Sequence, residues 1–526
     1  MAANLTIRNL TITPLELRQA ERIAGNFPEG HPKPANGFAK LTSKITGRRG
    51  TPSATAIAQR QATAAAAGIV IDRKDPSTKE LADGTRILIQ PFSENTTTIR
   101  PPDLDKGEQL KLTFSEHAAD GSPRPLYVAT IPAISSRSIV MRSVEDRGGE
   151  GGKEFTLIYI PTSSYLAIFS SSHLHAWMAE LHNDYPLSAL SIPGTHNSPT
   201  CYVALPSVRC QAVSVREQLD NGVRFLDVRV SCPSPPSSPG SSSPSSNYSG
   251  TASPPREQGI VPNLALVHSA FPISLSGTKY FHDLLSECYS FLAANPTETL
   301  LMSVKREGTG KGTDQDLSRY LVQRYLQPAE KWFTEPRVPS LGEVRGKIVL
   351  VRRFHVDPSL GNSGLGIDGS VWPDNCADGT CGSGMIRIQD YYEVGQTADI
   401  EKKRGFVQEQ LARAAQQAFA LPPPNPAQGN PVGPEQTMTL PMFINFLTGS
   451  NFFNASCWPE KIAAKLNPSA IEYLCMHHGA PGKGPGGLSI GDAATGVVVT
   501  DWVGAHGDWD LLRCIVGWNA RLQLKI

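Results

Sequence analysis

From Leu187 onward, short apolar runs alternate with amphipathic segments, and this alternation constrains the fold more than any other feature of the chain. The runs are SALSIP, GVRFLDVRV, PNLALVH, TLLMSVK, GKIVLVRRF, MIRIQD, PMFINFL and GVVVTDWVG. Helical patterns lie between several of them. In YFHDLLSECYSFLAANP, the residues Phe281, Leu284, Leu285, Cys288, Phe291 and Leu292 fall on one face of a helix. KRGFVQEQLARAAQQAFA, WPEKIAAKLN and WDLLRCIVGWN have the same character. About eight strands alternating with helices bury their apolar faces together most simply in an α/β fold, a parallel (β/α) barrel of the TIM type spanning residues 176–526.

Upstream the pattern differs. TRILIQPF, PLYVATIP, SRSIVMRSV and EFTLIYIP are short apolar runs separated by Gly, Pro and charged turns. They predict a β-rich, sandwich-like N-terminal domain over residues 1–165, with no chemistry-bearing cluster and no assigned role. The break between the two parts falls near residues 165–185. Ser43–Ala67 reads as a loose insertion. The Ser/Pro-rich stretch 232–259 has too little apolar surface to offset the entropy of ordering it, so a disordered loop is expected there. Pro/Gly-rich loops at 421–434 and in HHGAPGKGPGG also suit a barrel rim.

Several classes are excluded or disfavoured. The formal net charge of +1 gives no overall field for nucleic acid or an anionic surface. No window nears the ~20 apolar residues of a transmembrane helix. The N-terminal MAANLTIRNLTITPL alternates through Leu5, Ile7, Leu10 and Ile12 as a strand does, and does not read as a signal peptide. A cytoplasmic or peripheral membrane location is therefore expected. The nine cysteines are scattered, with no CxxC pair to suggest zinc. Cys376 and Cys381 are close enough in sequence to bridge, but mostly reduced, buried thiols are the simpler expectation. The pairs His173/His175 and His477/His478 lack partners at ligand spacing and read as surface residues.

In a parallel barrel the functional groups gather where the strands end at the C-terminal face. SIPGTH ends in His196, and LALVH ends in His268. RFLDVRV offers Asp227 and Arg229, two residues apart and so on one face of a strand. LLMSVKRE offers Lys305 and Glu307, IVLVRRF offers Arg353, IRIQDYY offers Asp390 and Tyr392, and VVVTDW offers Asp501. A single histidine at a strand end is usually solvated or packed in the core; seven runs in phase are not surface decoration. Two imidazoles on one pocket suit a general base and a general acid near neutral pH. An arginine between them is a fixed charge whose fork matches phosphate. Asp501 is placed to orient one imidazole. The remaining ring of donors and acceptors suits a sugar or cyclitol, which together reads as phosphodiester cleavage beside a polyol.

At these residues the chain resembles the X domain of phosphatidylinositol-specific phospholipase C in its bacterial and fungal form. SIPGTHNS, GVRFLDVR, ETLLMSVKRE, GKIVLVRRF, WPDN, IQDYY and VVVTDW occur in that family's order. The resemblance implies a distorted TIM barrel and a metal-independent phosphorus–oxygen lyase. It implies that His196 is the general base for the inositol 2-hydroxyl and that His268 is the acid for the diacylglycerol oxygen. Arg229 would stabilise the phosphoryl charge, Asp501 would orient His196, and Asp227 would belong to the same charge cluster. Lys305, Glu307, Arg353, Asp390 and Tyr392 would hold the inositol hydroxyls, with Trp372 of WPDN a rim or packing aromatic. The implied products are diacylglycerol and inositol 1,2-cyclic phosphate, from phosphatidylinositol or a glycosylated form at a membrane surface. Asn197 departs from the bacterial pattern, which has Asp after the first histidine; it can accept a hydrogen bond but adds no charge. No cofactor is implied. Calcium, the runner-up, takes six to eight oxygen ligands, and Arg229 and Lys305 stand where carboxylates would be needed. A catalytically inactive inositol-lipid-binding barrel and a glycerophosphodiesterase are the alternatives.

Overall fold

The computed structural model of the chain describes residues 4–24, 77–81, 84–118, 120, 122, 124–133, 138–144, 153–235, 261–361, 364–419, 440–480 and 490–525. The expected insertion at 43–67, residues 236–259 of the Ser/Pro stretch, the loop 421–434 and residues 481–487 lie outside the described residues.

The N-terminal part is two sheets on a shared core. One runs Ser93–Thr96, Thr6–Leu10, Tyr165–Ser170, Glu154–Ile160, Ser138–Arg142; the other runs Ser77–Lys79, Leu15–Ile23, Gln109–Glu116, Leu126–Ile131, with Ile87–Ile89 also on Leu15–Ile23. The period-two pattern explains the packing: Leu110, Leu112 and Phe114 point inward from one sheet and meet Ile7, Leu157 and Ile168 of the other. Tyr165–Ser170 completes the ladder between Thr6–Leu10 and Glu154–Ile160, so the sandwich extends to Ser170, past the expected boundary at 165.

The same strand joins the sandwich to the second part. Tyr165, Ala167 and Phe169 share a core with Leu474, Cys514 and Trp518. A Cβ at Gly517 would stand 2.6 Å from the Phe169 ring, so only glycine permits this approach. Arg8 crosses the junction and donates to the carbonyls of Cys475 at 3.0 Å and His478 at 2.8 Å. His478, expected at the surface, is buried against Trp518 and bonds the Ala493 carbonyl at 2.9 Å, because the sandwich covers it.

The second part is a distorted TIM barrel. Its strands are β1 (Ile192–Thr195), β2 (Phe225–Ser231), β3 (Ala265–His268), β4 (Leu300–Glu307), β5 (Ile348–Arg353), β6 (Ile386–Gln389), β7 (Met442–Phe446) and β8 (Val497–Thr500). Parallel ladders run β5–β4–β2–β1–β8–β7–β6. No ladder joins β5 to β6 among the described residues, so the barrel is open on that side. These parallel strands are Val/Ile/Leu-rich because both faces are buried, one in the barrel and one under helices such as Phe281–Ala294, Thr397–Ala415 and Pro459–Met476. Gly194 of SIPGTH has a local reason: its missing Cβ would stand 3.0 Å from Phe225 Cβ on the neighbouring strand.

One strand departs from the expected pattern. PNLALVH forms β3, which pairs antiparallel with the end of β2 through Val230–Leu266 and Ser231–Ala265. The chain returns to the end of β2 that it left. A parallel strand would need a crossover to the opposite end of β2, usually a helix.

At the other end of β2, Arg224 and Glu298 form a fully buried pair at 2.7 Å. The guanidinium also donates to the carbonyls of Leu219, Val223, Leu174 and His175, tying the strand to the segment that precedes the barrel. Arg224→Met is expected to destabilise the fold by about 3–5 kcal/mol, because Glu298 would stay buried without its cation. A lowered thermal unfolding midpoint checks this; an unchanged midpoint contradicts it.

Candidate active site

The ends of β1, β2, β4, β5, β6 and β7, with the hairpin from β3, converge on one cavity of about 350 Å³. His196, Arg229, His268, Lys305, Glu307, Arg353, Trp372, Asp390 and Tyr392 all line it. Asp227 and Asp501 lie buried just behind the lining, each bonded to a lining side chain. None of the described lining residues comes from the N-terminal sandwich.

The imidazoles of His196 and His268 face each other edge to face, ring centroids 5.6 Å apart. His196 donates through Nδ1 to Asp501 Oδ1 at 3.0 Å, which leaves Nε2 as its free basic nitrogen. Gln211 clamps this corner by donating to the carbonyls of His196 at 2.7 Å and Thr500 at 3.0 Å. Burial, reinforced by Arg229 and by His268, holds His196 well below the usual imidazole range. Burial and Arg229 also lower His268. The cavity therefore disfavours two charged imidazoles beside the guanidinium. Burial pushes the Asp501 carboxyl up, opposed by the charges of Arg229 and Lys403.

Arg229 sits between two carboxylates. Its Nε stands 3.2 Å from Asp227 Oδ2 and its Nη1 3.0 Å from Glu307 Oε1. Against the cost of burial, Arg229 and Lys305 draw Glu307 down to about 2. Glu307 also accepts from Lys305 Nζ at 2.8 Å and from the Ser269 amide at 2.9 Å. Arg353 stacks 3.9 Å over the Trp372 ring, and Trp372 Nε1 donates to Asp390 at 3.0 Å. Trp372 is thus part of the cavity wall. Tyr392 is more exposed and bonds Asp374 at 2.8 Å.

Asn197 behaves differently from expectation. Its backbone amide donates to Asp227 at 3.1 Å, but its buried side-chain amide has no hydrogen-bond partner among the described residues. His268 is held instead by the Val208 carbonyl, 2.7 Å from Nδ1, with the Cys210 thiol 3.6 Å from the same nitrogen. Val208, Cys210 and Gln211 were invisible to sequence reasoning, since the loop VRCQA carries no periodicity and no motif.

A hard cation does not fit the charge cluster. Asp227 and Glu307, the carboxylates on either side of Arg229, are already bridged by its guanidinium, so they leave no oxygen cage for calcium between them. Nitrogen and sulfur donors come together elsewhere: one ligand atom from each of His196, Cys210 and His268 lies within 4.8 Å of the others. All nine cysteines are free thiols, Cys376 and Cys381 included.

Residues 183–354 match the family model for the phosphatidylinositol-specific phospholipase C X domain. The chain is 27% identical over 223 residues to a 1-phosphatidylinositol phosphodiesterase of Listeria monocytogenes, a match covering 40% of this chain and 57% of that protein. It is 26% identical over 340 residues to the enzyme of the same name from Staphylococcus aureus, covering 62% of this chain and 88% of the relative. A human PI-PLC X domain-containing protein 1 is 27% identical over 190 residues, covering 29% of this chain and 49% of that protein. Among solved structures, a Staphylococcus aureus phosphatidylinositol-specific phospholipase C superposes with a TM-score of 0.47 at 20% identity, over 66% of this chain and 97% of that one.

Proposed function

The barrel belongs to the phosphatidylinositol-specific phospholipase C X-domain family, and on that premise we propose that it cleaves phosphatidylinositol or a glycosylated form of it by internal attack. The observation that carries the reading is the placing of two opposed imidazoles, one backed by a carboxylate, beside a mostly buried guanidinium on one cavity.

His196 Nε2 takes the proton from the inositol 2-hydroxyl as that oxygen attacks phosphorus. The bond to the glycerol oxygen breaks, and the His268 imidazolium gives that oxygen its proton. Diacylglycerol leaves, and inositol 1,2-cyclic phosphate remains. An internal nucleophile removes the entropy cost of recruiting a second molecule, an effect worth up to ~7–11 kcal/mol in well-oriented reactions. Arg229 faces the non-bridging oxygens, where negative charge accumulates. Lys305, Glu307, Arg353 and Asp390 present alternating donors and acceptors to the other ring hydroxyls. Slower hydrolysis of the cyclic product follows with the two imidazoles in exchanged roles.

The products on phosphatidylinositol vesicles test the reading. Inositol 1,2-cyclic phosphate and diacylglycerol should both appear, at a rate unchanged by a chelator or by added calcium. A requirement for calcium would contradict the role assigned to Arg229. Absence of both products, with lipid still bound, would leave an inositol-lipid-binding barrel.

The cavity mouth carries an apolar fringe suited to a bilayer. Phe452 stacks on Phe271 at 5.5 Å, and both line the cavity. Phe453 beside them is 94% exposed. Val203 and Leu275, on the loops that also carry the lining residues Ser207 and Phe271, are 73% and 67% exposed and are linked through the Leu275 amide and the Val203 carbonyl. No helix among the described residues is long and apolar enough to cross a membrane. Phe453→Ser removes about 1.5–3 kcal/mol of apolar transfer and should weaken vesicle partitioning about tenfold or more. Hydrolysis of dissolved inositol 1,2-cyclic phosphate should be retained. Equal vesicle binding by both proteins would remove Phe453 from the interface.

A further inference from the structure

We propose that His196, His268 and Cys210 form a binding site for a soft divalent transition metal of the zinc class, and that the bound ion blocks the active centre. All three side chains are buried, and one ligand atom from each lies within 4.8 Å of the other two. A tetrahedral zinc ion, about 2.0–2.3 Å from nitrogen and sulfur, needs ligand–ligand edges of roughly 3.3–3.8 Å. The edge from Cys210 Sγ to His268 Nδ1 is already 3.6 Å, so closing the site requires only a modest approach of the remaining ligand atom.

The surrounding contacts have the form found around ligating imidazoles. His196 donates a hydrogen bond from Nδ1 to the Asp501 carboxylate, which raises the basicity of Nε2 and fixes the ring. His268 is steadied by the Val208 carbonyl, a bond it keeps if Nε2 takes the ion and gives up if Nδ1 does. The fourth position opens on the cavity, where water or a phosphate oxygen completes the shell.

The donor set selects the ion. Two imidazoles and a thiolate favour zinc or cobalt(II) over calcium or magnesium, which seek oxygen. Arg229 opposes any added positive charge, and the Cys210 thiol must lose its proton as the ion binds, so affinity rises with pH. The ion competes for the Nε2 lone pair that proton abstraction requires. It is therefore an inhibitor and not a cofactor. The inhibition rests on the function proposed above; the binding does not.

Cobalt(II) titration of the reduced full-length chain tests the site directly. One equivalent should bind, with a sulfur-to-cobalt charge-transfer band in the near ultraviolet and intense visible bands of tetrahedral cobalt, both displaced by zinc. The charge-transfer band should vanish in Cys210→Ser and Cys210→Ala, with fold verified by circular dichroism. His268→Gln keeps every thiol and should bind cobalt at least about tenfold more weakly. Zinc should inhibit phosphatidylinositol cleavage reversibly, and each Cys210 variant should need at least about tenfold more zinc for half-inhibition of its own rate. A charge-transfer band unaffected by Cys210 replacement, no such band in the unmodified chain, or equal zinc sensitivity would overturn the proposal. A cobalt complex of the expected kind in a chain without hydrolytic activity would keep the metal site and remove the catalytic reading.

Discussion

Replacing His196 with alanine is expected to lower kcat/KM on phosphatidylinositol by about 10²–10⁴, the range attributed to one positioned acid–base group. His268→Ala should fall in the same range. The double variant should lose less than the product of the two, because proton abstraction and leaving-group protonation belong to one concerted event and each is of little use alone. The rings stand 5.6 Å apart at nearly a right angle, close enough for one phosphodiester to touch both. Equal rates for the unmodified chain and the single variants would end the catalytic assignment. The pH profile carries a second check. Activity requires His196 without its proton and His268 with one. Both are pulled below the ordinary imidazole value of 6.5, His196 the further, chiefly by burial and by Arg229. The profile of kcat/KM should therefore be a bell with its optimum on the acid side of 6.5, and its two limbs describe the pair and not either ring separately.

Arg229→Ala should have two separable effects. Loss of a preorganised charge facing the phosphoryl oxygens costs about 10²–10³ in kcat per donor removed. The same change strips Asp227 and Glu307 of the cation between them, at 3.2 and 3.0 Å. Breaking a buried pair from one side costs about 3–5 kcal/mol, moderated here by Arg353 and Lys305, which still face the two carboxylates. Arg229→Lys separates the effects. A lysine returns the charge and should recover much of the thermal stability. It cannot fork between two carboxylates and a phosphate, so the rate should remain low. Full recovery of rate by lysine would show that the guanidinium geometry is unimportant.

Much of this site is legible in the sequence. The spacing of Asp227 and Arg229, and of Lys305 and Glu307, puts each pair on one face of a strand, and parallel strands carry their C-terminal ends to a common rim. That is a consequence of period two and of barrel geometry, both written in local residue order. Burial of Leu284, Cys288 and Phe291 follows equally from the helical period. The contacts around His268 were not legible. Its hydrogen-bond partner is a main-chain carbonyl, and every residue has one, so residue type offers no clue that Val208 is chosen. Cys210 reaches the same imidazole only through the path of an irregular loop.

Composition and periodicity were thus sufficient for the parallel barrel and for the identity of the charged groups at its mouth, since these depend on which residues recur at intervals of two and of about 3.6 along the chain. Three matters depended on contacts between distant segments: the antiparallel course of Ala265–His268, the burial of His478 beneath the sandwich, and the amide of Asn197, unpartnered among the described residues. Each reflects how much room and how many polar partners remain after separate elements have packed, a property of the assembled interior that neighbouring residues in the chain do not encode.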